Sequence, residues 1–486
     1  MNIAVTLITD DAEQMLYAQK GECLSAVFAR YNLHFAMPCG GKGICSNCPV
    51  FVDKEMCLIC QTRVEKEICV QLAGNEHIQN IAEGSILTLP PVSPMFAQYG
   101  VAVDIGTTTL CATLLDRNGN AITMTEQNPQ TVFGADIISP IEHALSGKAN
   151  ALAACIRNAL SEMIVTLCAR RGIDPGLVDA LVLTGNTAML YLLTGHDPVR
   201  LSRAPFSADR LFGEFVDTNG FGFPVSSDAR MYLPRCISAF VGGDITCAIL
   251  ASGMCVKGKT TMLVDIGTNG EIALWHGDTL RCCSTAMGPA LEGAGITHGT
   301  YGINGAIDRV WQENGVIRCA TIGGGFAKGI CGSGIIDAIA VMLELGIIEE
   351  TGAFSGDADW FALKEDIGIA AADVRNIQLA KAALRAGIET LLEMEGVKQT
   401  EVETIFIAGG FGSLVNLENA AKIGLLPEAM IDRTSVIGNA AHTGAIMLLR
   451  ENTLVSHITR LSSQARTILL EVNPVFADNY VQHMMF

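Results

Sequence analysis

The sequence predicts a small α+β domain followed by a larger, duplicated α/β core, and three observations lead to this fold class. The pentapeptide Val-Asp-Ile-Gly-Thr occurs twice, at residues 103–107 and 264–268, each time at the end of an apolar run typical of a buried strand. A third glycine-rich stretch, residues 407–413, also follows an apolar strand. Seven of the 17 cysteines fall within the first 69 residues, ahead of the first repeat. An internal repeat of this kind indicates two related halves.

The composition limits the classes of function. The net charge of −18 argues against a nucleic-acid partner, because such binding relies on Lys and Arg side chains that neutralise phosphates. The sequence contains no run of 18 apolar residues of the kind that spans a membrane, and its N-terminus lacks the charged region and cleavage site of a signal peptide. We therefore expect a cytoplasmic protein with no membrane anchor. Its clustered cysteines favour metal binding over a disulfide scaffold.

The N-terminal domain, residues 1–83, follows the strand–hairpin–helix order of an α+β β-grasp fold. Residues 2–8 alternate as a strand, and residues 15–18 form a second strand that pairs with it. Residues 21–33 have the apolar spacing of a helix, and a further strand covers residues 49–52. A glycine-rich loop with closely spaced cysteines lies between that helix and that strand, which is the plan of a small [2Fe–2S] ferredoxin.

Four cysteines with the spacing C-x5-C-x2-C-x11-C are the candidate ligands of an iron–sulfur cluster: Cys39, Cys45, Cys48 and Cys60. Plant-type [2Fe–2S] ferredoxins use a first gap that is one residue shorter, and their last gap is longer. A zinc site of four cysteines is the alternative, although it would use Cys57 with Cys60 and leave Cys39 without a role. Cys60 is favoured over Cys57 as the fourth ligand because its Cys-Gln-Thr context resembles the end of the ferredoxin cluster motif.

The boundary between the two parts is marked by proline. Residues 84–99 contain prolines at positions 90, 91 and 94, which predict a semi-extended linker. The duplicated α/β core then covers residues 100–486. Its two related lobes are expected at about residues 100–255 and 256–486.

The two copies of the repeat predict a pair of phosphate-binding turns that hold one nucleotide between them. Gly106 and Gly267 allow the backbone to turn sharply and approach an anion, and the N–H and hydroxyl groups that follow donate to phosphate oxygens. Asp104 and Asp265 cannot face phosphate directly, because like charges repel. Each is therefore predicted to hold water on a Mg²⁺ ion, which usually keeps several waters. The residues of this predicted site are Asp104 and Asp265 as the catalytic pair, with Gly106, Thr107, Thr108, Gly267, Thr268 and Asn269 as nucleotide contacts.

Further stretches of small residues complete the predicted nucleotide site. The stretch after the third strand suits a flat adenosine ring on bare backbone and comprises Gly409, Gly410, Phe411 and Gly412. Another covers the phosphates or the ribose, or forms a structural turn, and comprises Gly332, Ser333 and Gly334. Small-residue helices near residues 242–248 and 438–444 either cross closely as a hinge between the lobes or serve as plain core helices.

These motifs together resemble the superfamily of acetate and sugar kinases, heat-shock chaperone ATPases and actin (ASKHA). The whole chain, ferredoxin module included, is similar to the reductive activators of corrinoid proteins, which are ATP-dependent enzymes of anaerobic methyl transfer. The similarity is carried by residues 38–62, 103–109, 128–136, 185–187, 329–337, 409–416, 438–445 and 472–486. Longer members of that family carry an extra small domain between the ferredoxin and the first phosphate motif, which this chain lacks.

The resemblance implies that the protein passes one electron from a [2Fe–2S] cluster to the Co(II) of a corrinoid protein and restores Co(I), with ATP and Mg²⁺ in the core. It also implies a low-potential electron donor as a second partner and a homodimer formed through the core. The alternatives are an ATP-independent ferredoxin-type carrier, an ATP-gated binder, and a small-molecule kinase. The residue that activates the hydrolytic water stays open among Asp136, Asp244 and Glu271.

Overall fold

The structure is a computed structural model that describes residues 2–8, 13–31, 49–53, 55–59, 61–72, 91–133, 138–364, 366–409 and 415–486. The chain separates into two compact units, Met1–Ile86 and Leu87–Phe486. The loop predicted to hold the iron–sulfur cluster, with Cys39, Cys45, Cys48 and Cys60, lies outside the described residues.

The first unit is a mixed β-sheet with one short helix against it. Its elements are β1 Asn2–Ile8, β2 Glu13–Gln19, β3 Glu22–Cys23, α1 Leu24–Arg30, β4 Pro49–Val52, β5 Glu55–Leu58, β6 Arg63–Val64 and β7 Ile68–Leu72. The main sheet has the order β2-β1-β7-β4-β5, and Val5, Leu16 and Phe28 are fully buried between sheet and helix. The predicted strands are confirmed. The predicted helix begins three residues later than expected, because Glu22 and Cys23 pair with β6 instead.

The first lobe of the second unit contains a six-stranded sheet. Its elements are β8 Tyr99–Ile105, β9 Thr109–Asp116, β10 Ala121–Gln127, α2 Ile138–His143, α3 Ala149–Arg171, β11 Val178–Gly185, α4 Thr187–Thr194, β12 Glu214–Asp217, β13 Arg230–Leu233 and α5 Gly243–Ser252. The sheet order is β10-β9-β8-β11-β13-β12. Helix α3 ends at Gly172, which adopts the left-handed conformation and closes the last turn with its N–H.

The second lobe contains another six-stranded sheet and a small β-rich insertion. Its elements are β14 Thr261–Ile266, β15 Asn269–His276, β16 Thr279–Ala286, β17 Ala306–Glu313, β18 Val316–Thr321, β19 Gly329–Ile330, α6 Gly332–Glu344, β20 Trp360–Lys364, β21 Ile367–Ala370, α7 Ala371–Glu395, β22 Thr404–Ala408, α8 Leu417–Lys422, β23 Thr434–Gly438, α9 Ala440–Arg450, α10 Leu454–Gln464, β24 Arg466–Thr467 and α11 Pro474–Gln482. The large sheet has the order β23-β22-β14-β15-β16-β24, and β18-β17-β19 form a separate small sheet.

The two large sheets repeat one topology. In each, an antiparallel meander of three strands, β8–β10 or β14–β16, is extended by parallel strands beside its first strand, β11 and β13 or β22 and β23. The register also matches, because Asp104 pairs with Thr184 and Asp265 pairs with Ala408. The predicted duplication of the core is therefore confirmed. Both aspartates stand at the carboxyl ends of parallel strand pairs, where open α/β sheets bind ligands.

Helices α5 and α9 lie in the buried space between the two sheets. A Cβ atom on Gly444 of α9 would stand 2.0 Å from the carbonyl oxygen of Cys247 on α5 and 2.7 Å from its Cα. Side chains from both lobes are fully buried around this crossing, among them Ala102, Leu263 and Ala408. The predicted close crossing is confirmed, and the two helices are also part of the core that joins the lobes.

We expect Gly444→Ala to lower the free energy of unfolding of the second unit by about 1–3 kcal/mol, because the added methyl group must push the two helix backbones apart. Gly220→Ala is the matched control, since no atom lies within 4 Å of its Cβ position and its backbone is not left-handed. Thermal unfolding of both variants, followed by calorimetry, measures the difference. Equal melting temperatures for the two variants would contradict the close crossing.

One helical stretch, Ser139–Arg171, is long and apolar enough to cross a membrane by length and composition, with a mean hydropathy of 1.4 over its most apolar window. The apolar side of this stretch faces the first sheet. Leu152, Ile156 and Leu160 are buried there with strand residues such as Leu110 and Leu114. The stretch is therefore a core helix of the first lobe.

Candidate active site

A cleft of about 500 Å³ lies between the two lobes at the carboxyl ends of β8 and β14. Both copies of the repeat line it, and the hydroxyl oxygens of Thr107 and Thr268 are 3.5 Å apart across it. The predicted site residues that line the cleft are Asp104, Gly106, Thr107, Thr108, Asp265, Gly267, Thr268, Asn269, Gly332, Ser333 and Gly409. The fold thus brings together motifs that are up to 305 positions apart (409 − 104) in the chain.

The first of the two predicted phosphate-binding turns is closed by its own backbone. The N–H of Gly106 donates to the carbonyl of Thr109 at 2.9 Å. A Cβ on Gly106 would stand 2.8 Å from that same oxygen. The side-chain amide of Asn128 braces the turn from behind, because it donates to the carbonyl of Gly106 at 2.8 Å. Glycine is therefore required at position 106 by the packing of the turn, without any ligand.

The second turn is closed by a hydrogen bond to a residue one position nearer in sequence, and its support is different. The N–H of Gly267 donates to the carbonyl of Asn269 at 3.0 Å. The nearest atoms to a Cβ on Gly267 would be 3.6 Å away, which is ordinary contact. The hydroxyl of Thr268 donates to both carboxylate oxygens of Glu292 at 3.2 Å. A Cβ atom would therefore collide with the turn at Gly106, whereas the protein itself leaves room for one at Gly267.

The glycine that begins the predicted adenosine stretch lies against the second repeat. Gly409 has a φ of +99°, and a Cβ there would stand 2.5 Å from the carbonyl oxygen of Ile266 and 2.8 Å from a carboxylate oxygen of Asp265. Gly185 occupies the equivalent place in the first lobe, where a Cβ would stand 2.7 Å from the carbonyl oxygen of Ile105. The other predicted adenosine contacts, Gly410, Phe411 and Gly412, lie outside the described residues.

The residues of the Gly332-Ser333-Gly334 segment have two different roles. Gly332 and Ser333 line the cleft at the start of α6, although the hydroxyl of Ser333 donates to the carbonyl of Asp308 at 2.9 Å. Gly334 faces the other way, because a Cβ on it would stand 2.3 Å from the carbonyl oxygen of Ile307 on β17. Gly334 therefore permits tight packing of α6 on β17, as in the structural-turn alternative, while Gly332 lies at the cleft.

Five carboxylates line the cleft, which is an unusual concentration of buried like charge. Burial raises the pKa of Asp104 to about 6, against a hydrogen bond from Asn439 that lowers it. Burial and the neighbouring Asp104 raise the pKa of Asp265 to about 7 and that of Asp244 to about 8. The pKa values of Glu271 and Glu292 are also raised, first by burial. Ionisation of these carboxylates is therefore unfavourable unless a cation lies near them.

Four helices direct their N-terminal ends at the same cleft. Residues at the starts of α4, α5, α6 and α9 line it, among them Asn186, Asp244, Gly332 and Asn439. A helix N-terminus carries partial positive charge and free N–H groups, so it attracts anions such as phosphate. Positive helix ends and negative carboxylates around one cavity suit a phosphate chain together with its cation.

A hydrated Mg²⁺ ion fits this donor set. Within the part of the chain that the structure describes, no three carboxylate, thiolate or imidazole groups converge closely enough to hold a metal ion. Mg²⁺ usually keeps several waters and is shared with substrate phosphates, so spaced carboxylates suit it better than a closed cage. Asp104 and Asp265, one from each lobe, are the residues placed to bind its water.

Two residues that line the cleft contact predicted site residues and were not themselves predicted from the sequence. Asn439 caps α9 by accepting from the N–H of His442 at 2.9 Å, and its side-chain amide donates to Asp104 at 2.9 Å. Glu292 orients Thr268, as described above. Asn at a helix start is a recognisable capping signal, but its second contact depends on the fold. Of the three candidate bases, Asp244 and Glu271 line the cleft, and Asp136 lies outside the described residues.

The described cysteines of the first unit are built into its strands. Cys57 lies on β5 opposite Val50, and the thiol of Cys23 contacts the hydroxyl of Ser25 at 3.2 Å. Cys69 lies on β7, where its N–H donates to the carboxylate of Asp53 at 3.0 Å. In the second unit, Cys282 and Cys283 are buried core residues, and Cys331 is buried at the lining of the cleft.

Comparisons with known proteins agree on one family. The description "RACo middle region" matches residues 99–257, and "C-terminal domain of RACo the ASKHA domain" matches residues 259–486. A relative from Eubacterium limosum, named corrinoid activation enzyme RamQ, is 34% identical over 453 residues, which cover 85% of this chain and 75% of the relative. A Methanosarcina barkeri protein, named [Co(II) methylated amine-specific corrinoid protein] reductase, is 24% identical over 426 residues, covering 80% of this chain and 77% of that protein.

A solved structure is similar over the whole chain. The protein described as reductive activator for corrinoid, iron–sulfur protein superposes with a TM-score of 0.75 at 25% identity. The match covers 99% of this chain and 98% of that chain. An ASKHA-type core is thus the common feature of the family descriptions and of the observed topology.

Proposed function

This chain belongs to the family of reductive activators of corrinoid proteins, and we propose that it passes one electron to the Co(II) of a corrinoid protein in an ATP-dependent step that restores Co(I). The observation that carries the ATP dependence is the interlobe cleft, where both phosphate-binding turns and four helix N-termini meet. The corrinoid of the partner is the substrate, and the Co(I) form is the product needed for anaerobic methyl transfer.

In this proposal the cleft residues position Mg-ATP and do little covalent chemistry, as is usual for phosphoryl transfer. Gly106, Gly267 and the threonines beside them donate to phosphate oxygens, and Asp104 and Asp265 hold the water of Mg²⁺. We assign the orientation of the attacking water to Asp244, because it stands at the start of α5 between both repeats. Glu271 is the other described candidate, and each carboxylate already accepts a hydrogen bond, Asp244 from the N–H of Ile245 at 2.7 Å and Glu271 from the hydroxyl of Ser284 at 3.3 Å.

We further propose that the first unit is a β-grasp [2Fe–2S] ferredoxin domain whose ligands are Cys39, Cys45, Cys48 and Cys60. The order of strands and helix in the described residues supports it, and so does the contact of the Cys23 thiol with the hydroxyl of Ser25. When bound, such a cluster supplies one electron at a potential near about −400 mV. The domain limits 1–83, 84–99 and 100–486 belong to the same proposal.

ATP is needed in this scheme because Co(I) lies at very low potential, so the transfer is uphill. For one electron, a tenfold change in the equilibrium corresponds to about 59 mV. A coupling free energy of about 1–3 kcal/mol therefore shifts the equilibrium by roughly 40–130 mV. We propose that nucleotide in the cleft favours one docked arrangement with the corrinoid protein and thereby changes the cobalt environment. A shift of the cluster's own potential by ATP in the isolated protein would contradict this version.

Several parts of the proposal rest on the family and the composition. They are a homodimer formed through the core, a low-potential electron donor as a second partner, a cytoplasmic location, and the absence of nucleic-acid or membrane partners. The alternatives are an ATP-independent electron carrier, an ATP-gated binder and a small-molecule kinase. The kinase alternative requires ATP consumption that depends on a small substrate.

The test is anaerobic and spectroscopic. The full-length protein, with its metal content measured, is mixed with a low-potential donor and a panel of Co(II) corrinoid proteins that includes a methylated-amine-specific one. We expect Co(I) to form with Mg-ATP and only at background rate without it. Equal Co(I) formation without ATP would reduce the protein to an electron carrier, and the same panel separates partners that are reduced from those that are not.

A further inference from the structure

Two loops of the second lobe lie side by side at the mouth of the cleft. The loop of residues 299–305 is joined to the loop of residues 322–328 by backbone hydrogen bonds, from Gly305 N to Ile322 O at 2.8 Å and from Lys328 N to Gly305 O at 2.8 Å. Tyr301 and Gly302 of the first loop line the cleft. A structural change at the nucleotide can therefore reach the second loop through these two backbone hydrogen bonds.

The outer surface of these loops is apolar. Phe326 is 84% exposed, Ile303 is 50% exposed and Tyr301 is 41% exposed. These three side chains are called the cleft-mouth patch below. Aromatic residues make up only 6% of the chain, so a phenylalanine exposed to this degree is notable. Ile303 and Phe326 lie beyond the described lining of the cleft, which argues against a role as direct nucleotide contacts.

Glycine shapes the presentation of Phe326. Gly323 and Gly324, just before it, have φ values of +77° and +69°, a conformation that other residues adopt only with strain. A Cβ on Gly305 would stand 2.9 Å from the carbonyl oxygen of Phe326. The two loops are thus pressed together, and the Phe326 ring is left pointing to solvent on a supported backbone.

A positive charge lies beside the patch although the chain as a whole is acidic. Lys328 is exposed two residues after Phe326, whereas Arg318 on the adjoining strand β18 is exposed but paired with Glu313 at 3.3 Å. The net charge of the whole chain is −18. A two-fold contact between two copies would place the same patch on both sides, so the two Lys328 side chains would repel. The local charge favours a different partner with acidic groups.

The size of the patch also distinguishes between a second copy of the chain and a transient partner. A stable dimer buries about 800 Å² on each partner, whereas electron-transfer encounters use smaller interfaces. A single aromatic anchor with two flanking side chains is on the smaller scale. An activator must release its partner after each electron, which a small interface permits.

Resting on the proposed function, we propose that the cleft-mouth patch is the docking site for the corrinoid protein, with Phe326 as its anchor and Lys328 facing acidic groups of the partner. Because Tyr301 belongs to both the patch and the cleft lining, nucleotide binding alters how the patch is presented. The patch thereby links ATP to recognition of the partner.

The experiment compares the wild-type protein with Phe326→Ala, Lys328→Glu and a control, Val472→Ala, whose side chain is 76% exposed on the C-terminal segment. The partner is the member of the corrinoid panel that binds the wild-type protein most tightly with Mg-ATP. We expect Phe326→Ala to weaken binding of this partner by about tenfold or more, as for an interface hot spot. Lys328→Glu slows association, most strongly at low salt. Val472→Ala and the affinity for ATP stay within about twofold of wild type.

Each other outcome overturns the inference. Partner binding by Phe326→Ala within about twofold of wild type would exclude the anchor role. A loss of ATP affinity would assign Phe326 to the nucleotide, and a change in oligomeric mass would assign the patch to a second copy. Wild-type binding without ATP-dependent reduction would defeat the proposed function alone, because docking is read from binding. A wild-type protein that binds no corrinoid protein of the panel would defeat both.

Discussion

Asp265→Asn is expected to abolish ATP-dependent Co(I) formation, with a loss of about 100-fold or more. The carboxylate stands at the end of β14, and Asp104 faces it from the first lobe. In the proposed site these two residues hold the water of Mg²⁺, so an amide at position 265 weakens the binding of the ion without changing the shape of the site. The measurement is the rate of Co(I) formation over a range of Mg²⁺ concentrations. A requirement for higher Mg²⁺ identifies the metal as the cause.

The same substitution gives a second readout that separates function from folding. Burial and neighbouring carboxylates raise the pKa of Asp265 to about 7 in the folded protein. A raised pKa means that the folded state holds the proton more tightly than the unfolded state. The charge therefore destabilises the fold once the pH exceeds the unfolded value, and this destabilisation is complete above about pH 7. At pH 8, without nucleotide, Asp265→Asn should melt no lower than wild type.

Asp278→Asn is the matched control for this experiment. Asp278 lies in the exposed turn between β15 and β16, on the same sheet as Asp265, with a φ of +59° that asparagine also tolerates. It should keep full activity. Asp244→Asn should differ from both variants. It should slow ATP hydrolysis while ATP still binds, because the proposed role of Asp244 is to orient the attacking water. If Asp265→Asn kept wild-type activity, the assignment of the paired aspartates would be wrong.

Most of the candidate site could be predicted from the sequence because the site is built from a repeat. Identical pentapeptides at the ends of two strands imply two equivalent turns, and strand register then brings Asp104 beside Thr184 and Asp265 beside Ala408. The close crossing of α5 and α9 was also predictable, since small residues at a helix crossing mark short backbone distances. Local pattern and fold agree at these positions.

The contacts that sequence reasoning missed are those between distant segments. Asn439 and Asp104 are 335 positions apart, and no local pattern relates them. Glu292 lies in a glycine-rich stretch, residues 288–295, and its contact with Thr268 follows from the packing of the second lobe. Gly334 belongs to a motif whose neighbours face the cleft, yet its helical position turns it toward β17. Side-chain direction on a helix changes by about 100° per residue, so adjacent residues of one motif diverge.

Cys60→Ser is expected to remove the iron–sulfur cluster and, with it, all Co(I) formation above background. Four thiolates hold a [2Fe–2S] cluster of this type, and serine has the shape of cysteine without a thiolate. The direct measurements are iron and acid-labile sulfide content and the visible absorption of the anaerobically purified protein. They report on the cluster before any partner is added. ATP binding in the second unit should be unchanged, since its cleft residues are untouched.

Cys57→Ser decides between the two metals that the cysteine spacing allows. Cys57 lies on β5, paired with Val50 and half-buried, a position in which it contributes to the sheet. With an iron–sulfur cluster held by Cys39, Cys45, Cys48 and Cys60, this variant keeps its iron and its activity. With zinc held by two C-x2-C pairs, the purified protein would contain zinc without a visible band, and both Cys57→Ser and Cys60→Ser would lose it. In that case the protein would have no electron carrier of its own, and reduction of Co(II) would require an electron delivered directly to the partner.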